Sequence, residues 1–128
     1  MRLLLDTCTF LWLIAETARL SAHARELLAD PGNEVHLSVV STWEIALKYS
    51  LGRLVLSEPP QRLISAQRKA HGIESMALEE DAVLQLERLP RLHADPFDRM
   101  LICQAILHGS AILTPDPLIS QYPVRVLW

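Results

Sequence analysis

Five acids stand where carboxylates are costly. Asp6 directly follows the apolar run Leu3-Leu4-Leu5, and Asp116 closely follows Ala111-Ile112-Leu113-Thr114. Glu44 opens the segment STWEIALKYSLG, while Asp95 and Asp98 head the largely apolar HADPFDRMLICQAILHG. An ionised carboxylate buried without a partner costs several kcal/mol, comparable with the whole stability margin of a small domain. If Asp6, Glu44, Asp98 and Asp116 converge, they repel one another and hold protons unless cations neutralise them. Carboxylate-only, oxygen-rich sites suit Mg²⁺ or Mn²⁺, which keep several waters and bind through one or two acids plus a substrate phosphate. An ion held in this way lowers the pKa of a bound water and neutralises charge growing on a leaving oxygen. In-line cleavage of a phosphodiester is the reaction that fits.

Each acid also fits an ordinary role. Ser41-x-x-Glu44 matches a capping box, whose glutamate reaches back to the N-cap amide. Asp95-Pro96-Phe97-Asp98 matches a helix start, with Asp at the N-cap, Pro at N1 and an acid beside the positive end of the dipole. Asp6 and Asp116 are placed to cap the helices that follow them. The positions as a set are harder to explain by capping. Two acids lie just past the carboxyl ends of expected core strands. The other two lie on apolar helix stripes: Leu47 and Leu51 share the face of Glu44, and Leu101, Ile102 and Ala105 share that of Asp98. Caps would scatter over the surface, whereas these positions predict one sheet edge.

The elements that carry the acids follow from the apolar pattern. RLLL (2–5) reads as a buried strand and TFLWLIAE (9–16) as a helix. Ser21 caps a helix over AHARELLAD that Pro31-Gly32 stops. VHLSV (35–39) reads as a strand, and Ser41 caps a helix over TWEIALKYSLG that Gly52 ends. RLVL (53–56) is short and extended. Pro59-Pro60 opens a helix over QRLISAQRKAHG, IESMAL (73–78) is a strand, and EEDAVLQLERLP is a helix. HADP is a loop leading into the helix FDRMLICQAILHG. SAILT (110–114) is a strand, DPLISQY a short helix and VRVL (124–127) a last strand. Strands alternating with helices predict an α/β fold, with a central, mostly parallel sheet of four to five strands and helices on both faces. Open sheets of this kind place their chemistry beyond the carboxyl ends of the strands.

The chain has 128 residues, which suits one domain spanning 1–128. Half of it is apolar and 21% is charged, a globular rather than a disordered composition. Lys and Arg number 12 against 15 Asp and Glu, a formal charge of −3, so no strong basic field advertises nucleic acid. Setting the five acids aside leaves 12 against 10, or +2, a balance compatible with an anionic substrate without requiring one. Cys8 and Cys103 read as small core residues in a reducing compartment. The five histidines show no ligand spacing, and no Cys/His pattern suggests zinc. Asp6 interrupts the first apolar run and no small-residue cleavage site follows, which argues against a signal peptide. No uninterrupted apolar run is long enough for a membrane span, so a cytoplasmic location is expected. There is no GxSxG elbow, P-loop or GxGxxG.

LLLDTCTFLWL, LSVVSTWEIALKYSLGRL, HADPFDRMLICQAILHGSAILTPDPLISQY and VRVLW occur in that order over nearly the whole chain. Together they resemble PIN-domain ribonucleases, and most nearly the VapC-type toxins of bacterial and archaeal toxin–antitoxin pairs. The resemblance implies a PIN-like fold and a Mg²⁺- or Mn²⁺-dependent endoribonuclease. Such an enzyme hydrolyses RNA through a metal-activated water and leaves 5′-phosphate and 3′-hydroxyl ends. The family's first aspartate falls on Asp6 and its glutamate on Glu44. The acid heading its penultimate long helix falls on Asp98, and that of its T-x-D turn on Asp116. These four would hold one or two ions. Thr7 and Thr114 match hydroxyl positions beside the acids, suited to orienting carboxylates or water. Asp95 belongs to the DPFDR signature, as metal ligand or helix cap. Arg99 completes it, as a contact for substrate phosphate or, in preference, a partner for a neighbouring acid. The implied partners are RNA, a cognate antitoxin that wraps the active groove, and a second copy in a homodimer. Cys8 stands where relatives with DTH have histidine, and Pro115 stiffens the T-x-D turn; neither removes a carboxylate.

Two other readings remain at this level. One is a different metal-dependent phosphohydrolase, although DTC lacks the second acid of a D-x-D arrangement. The other is a non-catalytic interaction module whose acids only cap. Trp12, Trp43 and Trp128 read as core residues rather than base-stacking ones. Arg62, Arg68, Lys69 and His71 read as a solvated helix face. FLWLIAE and RLISAQ are apolar enough to leave an exposed patch suited to association.

Overall fold

The computed structural model describes residues 1–128. Five strands, β1 (Arg2–Leu5), β2 (Glu34–Ser38), β3 (Glu74–Met76), β4 (Ala111–Leu113) and β5 (Val126–Leu127), form one sheet in the order β3-β2-β1-β4-β5. Every pairing is parallel. Seven helices connect them: α1 (Thr7–Ala15), α2 (Ala22–Ala29), α3 (Val39–Ser50), α4 (Pro60–His71), α5 (Glu80–Leu84), α6 (Pro96–His108) and α7 (Pro117–Ser120). None is long and apolar enough to cross a membrane.

The most apolar strand lies at the centre, where a parallel sheet is covered on both faces. Leu3 is in register with Val35 and Ala111, and Leu4 with His36 and Ile112. Side-chain alternation then divides the core in two. Leu3 and Leu5 pack with Phe10, Leu37, Ile45, Ile64 and Leu113 on one face. Leu4 packs with Val40, Leu101, Ile102, Ile112, Ile119 and Tyr122 on the other.

Strand order decides where the acids go. The chain builds outward from β1 through β2 to β3, then returns to the opposite side of β1 for β4 and β5. The order therefore reverses between β1 and β4, and connections that leave those two strands diverge to open a crevice at their carboxyl ends. α1, α3 and α7 follow strands and begin at that edge. α6 leads into β4 and runs antiparallel to it, so its N-terminus lies at the same edge.

Several details differ from the sequence reading. α3 starts at Val39, and its cap is Ser38, whose Oγ accepts from Val40 N at 3.0 Å. Ser41 is buried inside the helix, so the Ser41–Glu44 capping box does not form. The β-branched pair Val39-Val40 resembles strand, but a satisfied cap and the burial of Val40 outweigh that preference. On α3 the buried stripe is Val40, Ser41, Glu44 and Ile45, while Leu47 and Leu51 are exposed. Residues 53–56 join no sheet, and the segment after Leu84 tightens into a 3₁₀ turn. Trp43 is not a core residue. It is 58% exposed and meets Phe97 edge-on at 4.8 Å. Trp12 and Trp128 do pack together, edge to face at 5.9 Å.

Candidate functional site

Asp6, Glu44, Asp95, Asp98 and Asp116 line one cavity of about 350 Å³ at the carboxyl edge of the sheet, together with Thr7, Cys8, Lys48 and Arg53. Their origins are separate: the end of β1, the interior of α3, the first turn of α6 and the turn after β4. No three of the acids close around one point tightly enough to cage an ion as they stand.

Asp6 is the N-cap of α1 and is buried. Its Oδ1 accepts from Thr7 N at 2.8 Å, and its Oδ2 accepts from Thr114 Oγ1 at 2.7 Å and from Cys8 Sγ at 3.4 Å. Burial raises its pKa, and these hydrogen bonds offset only part of the rise, to which the charge of Glu44 adds. Thr114 ties two acids together, because its oxygen also accepts from Asp116 N at 3.1 Å. Asp116 in turn caps α7 by accepting from Leu118 N at 2.9 Å.

Glu44 caps nothing. Thr7 Oγ1 donates to its Oε1 at 2.7 Å and lies 2.9 Å from Ser41 Oγ. Its other oxygen accepts from Lys48 Nζ. The two hydroxyls and the ammonium compensate a carboxylate that the helix carries into the core.

Asp98 is held by side chains from farther away. His93 Nε2 lies 3.1 Å from its Oδ2, and His93 Nδ1 lies 2.7 Å from the Tyr122 hydroxyl. That hydroxyl oxygen also accepts from Leu92 N, His93 N and Arg99 Nη1 at 3.2, 3.1 and 3.1 Å. Burial lowers the His93 pKa, but its hydrogen bonds to Tyr122 and Asp98 outweigh that and leave it raised, so the ring bridges the hydroxyl and the carboxylate. Burial, and then the charge of Asp6, push the Asp98 carboxyl up to about 7 despite the His93 hydrogen bond.

Asp95 caps α6, its Oδ1 accepting from Phe97 N at 2.9 Å and Asp98 N at 3.2 Å. Arg99 is placed differently from the sequence expectation. It is buried, donates to Pro90 O at 2.8 Å as well as to Tyr122, and pairs with no acid. One residue past Asp98, it sits about 100° further round the helix, on the side of Tyr122 rather than the cavity.

The donor set is oxygen throughout except for Cys8. Burial and then the charge of Asp6 push that thiol up to about 12, so it stays protonated and is a poor ligand. Surplus negative charge on carboxylate and hydroxyl oxygens fits Mg²⁺ or Mn²⁺ and not zinc.

Sequence reasoning missed Lys48, His93 and Tyr122. A signal for Lys48 was present, since Glu44-x-x-x-Lys48 places both on one helix face. No spacing links His93 to Tyr122, which lies 29 residues away.

A family model described as the PIN domain matches residues 3–124. Comparison with curated protein sequences gives no match. In fold the chain is similar to VapBC2 from Rickettsia felis bound to a DNA fragment from its promoter, with a TM-score of 0.76 at 16% identity over 99% of this chain and 98% of that one. It is also similar to DNA-bound VapBC from Salmonella typhimurium, with a TM-score of 0.68 at 17% identity over 99% and 97% of the two chains. VapBC-1 from nontypeable Haemophilus influenzae gives a TM-score of 0.67 at 15% identity over 99% and 97%.

Proposed function

The chain belongs to the PIN-domain family, and on that premise we propose that it is a divalent-cation-dependent endoribonuclease, the toxin of a toxin–antitoxin pair. The observation that carries the reading is convergence: acids from four separate elements line one cavity, and the carboxyls of Asp6 and Asp98 are both raised there. Asp6, Asp98, Asp116 and Glu44 would hold the ion, Mg²⁺ or Mn²⁺. When bound, such an ion would supply a more acidic water and charge compensation for the phosphodiester.

The chain's own residues prepare the site. Thr114 holds Asp6 in register with Asp116, and Thr7 orients Glu44. Tyr122 holds the His93 ring, and His93 aims the Asp98 carboxylate. Asp95 presents the start of α6 rather than acting in the chemistry. Hydrogen-bonded carboxylates of this kind meet an ion with little reorganisation.

Partners follow the same reading. The similar structures described above are VapBC complexes, which supports a cognate antitoxin for this chain. An apolar groove lined by Leu11, Trp12, Ile14, Leu54, Val55 and Leu63 beside the acid cavity is compatible with such a segment. Self-association as a homodimer, a cytoplasmic location and a single domain over 1–128 belong to the proposal as well.

The rival reading, a module whose acids only cap, draws on a real feature: Asp6, Asp95 and Asp116 do cap α1, α6 and α7. It leaves Glu44 and Asp98 unexplained, since neither caps a helix. RNA cleavage by the purified chain in Mg²⁺, in Mn²⁺ and in EDTA, beside Asp98→Asn, tests the choice. Cleavage is expected only with an ion and only with Asp98 intact. Equal cutting in every lane would overturn the mechanism.

A further inference from the structure

The acid cavity has a cationic wall. Lys48 and Arg53, at the end of α3 and just beyond it, are the only basic residues that line it. Lys48 pairs with Glu44, and the two partners are unequally exposed: 47% of the Lys48 side chain is open to solvent against 7% for Glu44. The ammonium therefore stands at the mouth of the cavity, anchored from below by a buried carboxylate. An ammonium has three N–H donors, and Glu44 takes one. Arg53 is exposed and pairs with no acid. Lys48 offsets the charge of buried Glu44, and its half-exposed ammonium keeps its remaining N–H donors for a ligand at the cavity. A phosphodiester entering a cavity of five acids is repelled unless cations meet its non-bridging oxygens.

We propose that Lys48, positioned by Glu44, is the residue that binds the scissile phosphate of the RNA, with Arg53 holding a neighbouring phosphate. Glu44 thereby serves the substrate through Lys48 as well as completing the acid set. The proposal rests on the ribonuclease reading and adds a specific cation to it.

Steady-state cleavage of a single-stranded RNA oligonucleotide in Mn²⁺, across a series of KCl concentrations, tests it with wild type, Lys48→Gln, Lys48→Arg and Arg53→Gln. Lys48→Gln is expected to raise KM about tenfold at low salt with little change in kcat, as the loss of one phosphate contact requires. The slope of log kcat/KM against log salt should fall by about one unit for the same reason. Lys48→Arg should restore both, and Arg53→Gln should show a smaller loss in the same sense. Mn²⁺ binding to the RNA-free chain, measured by titration calorimetry, should be unchanged or tighter in Lys48→Gln, because a cation competing for Glu44 has gone. An unchanged KM and salt slope in Lys48→Gln would overturn the proposal. So would weakened Mn²⁺ binding without rescue by Lys48→Arg, which would make Lys48 a mere support for Glu44. If wild type cleaves no RNA with any ion, the ribonuclease reading itself fails and the proposal falls with it.

Discussion

The two ends of the sheet treat charge in opposite ways. At the amino end, acids have partners: Arg2 Nε lies 3.3 Å from Glu34, and His108 Nε2 lies 3.7 Å from Glu79. Arg2, Glu34 and Glu79 are largely solvated, whereas the His108 side chain is only 22% exposed, and an exposed pair such as Arg2–Glu34 neither costs nor contributes much. At the carboxyl end, five acids share a cavity with one lysine and one arginine. Burial and neighbouring charge raise the carboxyls of Asp6 and Asp98 there, so their ionised state is held against a free-energy penalty. On the proposed reading, the crowded set is the one kept for a cation. Five substitutions test that contrast.

The largest effect is expected from Asp6→Asn. Initial rates of RNA cleavage should fall by at least ~100-fold, since the substitution removes a ligand charge. Glu34→Gln removes the same charge at the amino end and should leave the rate within about twofold. Comparable losses in both variants would erase the distinction between the ends.

The next effect is on stability and its sign depends on pH. The Asp98 carboxyl is raised from 3.8 to about 7, so between those values the folded state binds a proton that the unfolded state has released. Stability from this group is therefore greatest below about pH 4 and is lost as pH rises through about 7. Asp6 is raised as well and acts in the same direction. Thermal melts in EDTA should show Asp98→Asn more stable than wild type at pH 8 by about 2 kcal/mol, with the gap closing toward pH 4. Mn²⁺ should raise the wild-type melting temperature more at pH 8 than at pH 5. A variant less stable than wild type at pH 8 would mean that the acids are not crowded at all.

A smaller effect should follow Thr7→Val. Loss of the hydroxyl leaves buried Glu44 without one donor and Ser41 without its neighbour. A cost of about 1–2 kcal/mol in urea denaturation is expected, with reduced cleavage as the carboxylate loses its orientation. The smallest effect is expected from Arg2→Ala, at most ~0.5 kcal/mol by thermal melting. A cost as large as that of Thr7→Val would show the amino end to be more than a solvated surface.

Much of this was readable in the linear order of residues. The runs LLL, AIL and VHLS are strands, Ser21, Asp95 and Asp116 are caps, and Gly72 and Gly109 stop helices at φ of 65° and 63°. Such signals act over four residues or fewer, through hydrogen bonds and backbone sterics that the sequence contains whole. The same locality explains the errors. Ser41 looked like a cap because Ser-x-x-Glu is a local pattern, yet it lies buried against Thr7, 34 residues away. Trp43 looked like core because it sits in an apolar run, but its exposure depends on which face of α3 meets α6.

Residue identity and short-range pattern thus determined the elements, the caps and the acidic character of the candidate site. That the capping acids and the non-capping ones share one cavity was decided by the parallel strand order. It gathers four helix starts at one edge and opens a crevice between β1 and β4. The Tyr122–His93–Asp98 chain and the Thr7 hydroxyl on Glu44 depend likewise on side chains packed from distant elements. Long-range pairing of strands sets those distances, and no periodicity along the chain encodes it.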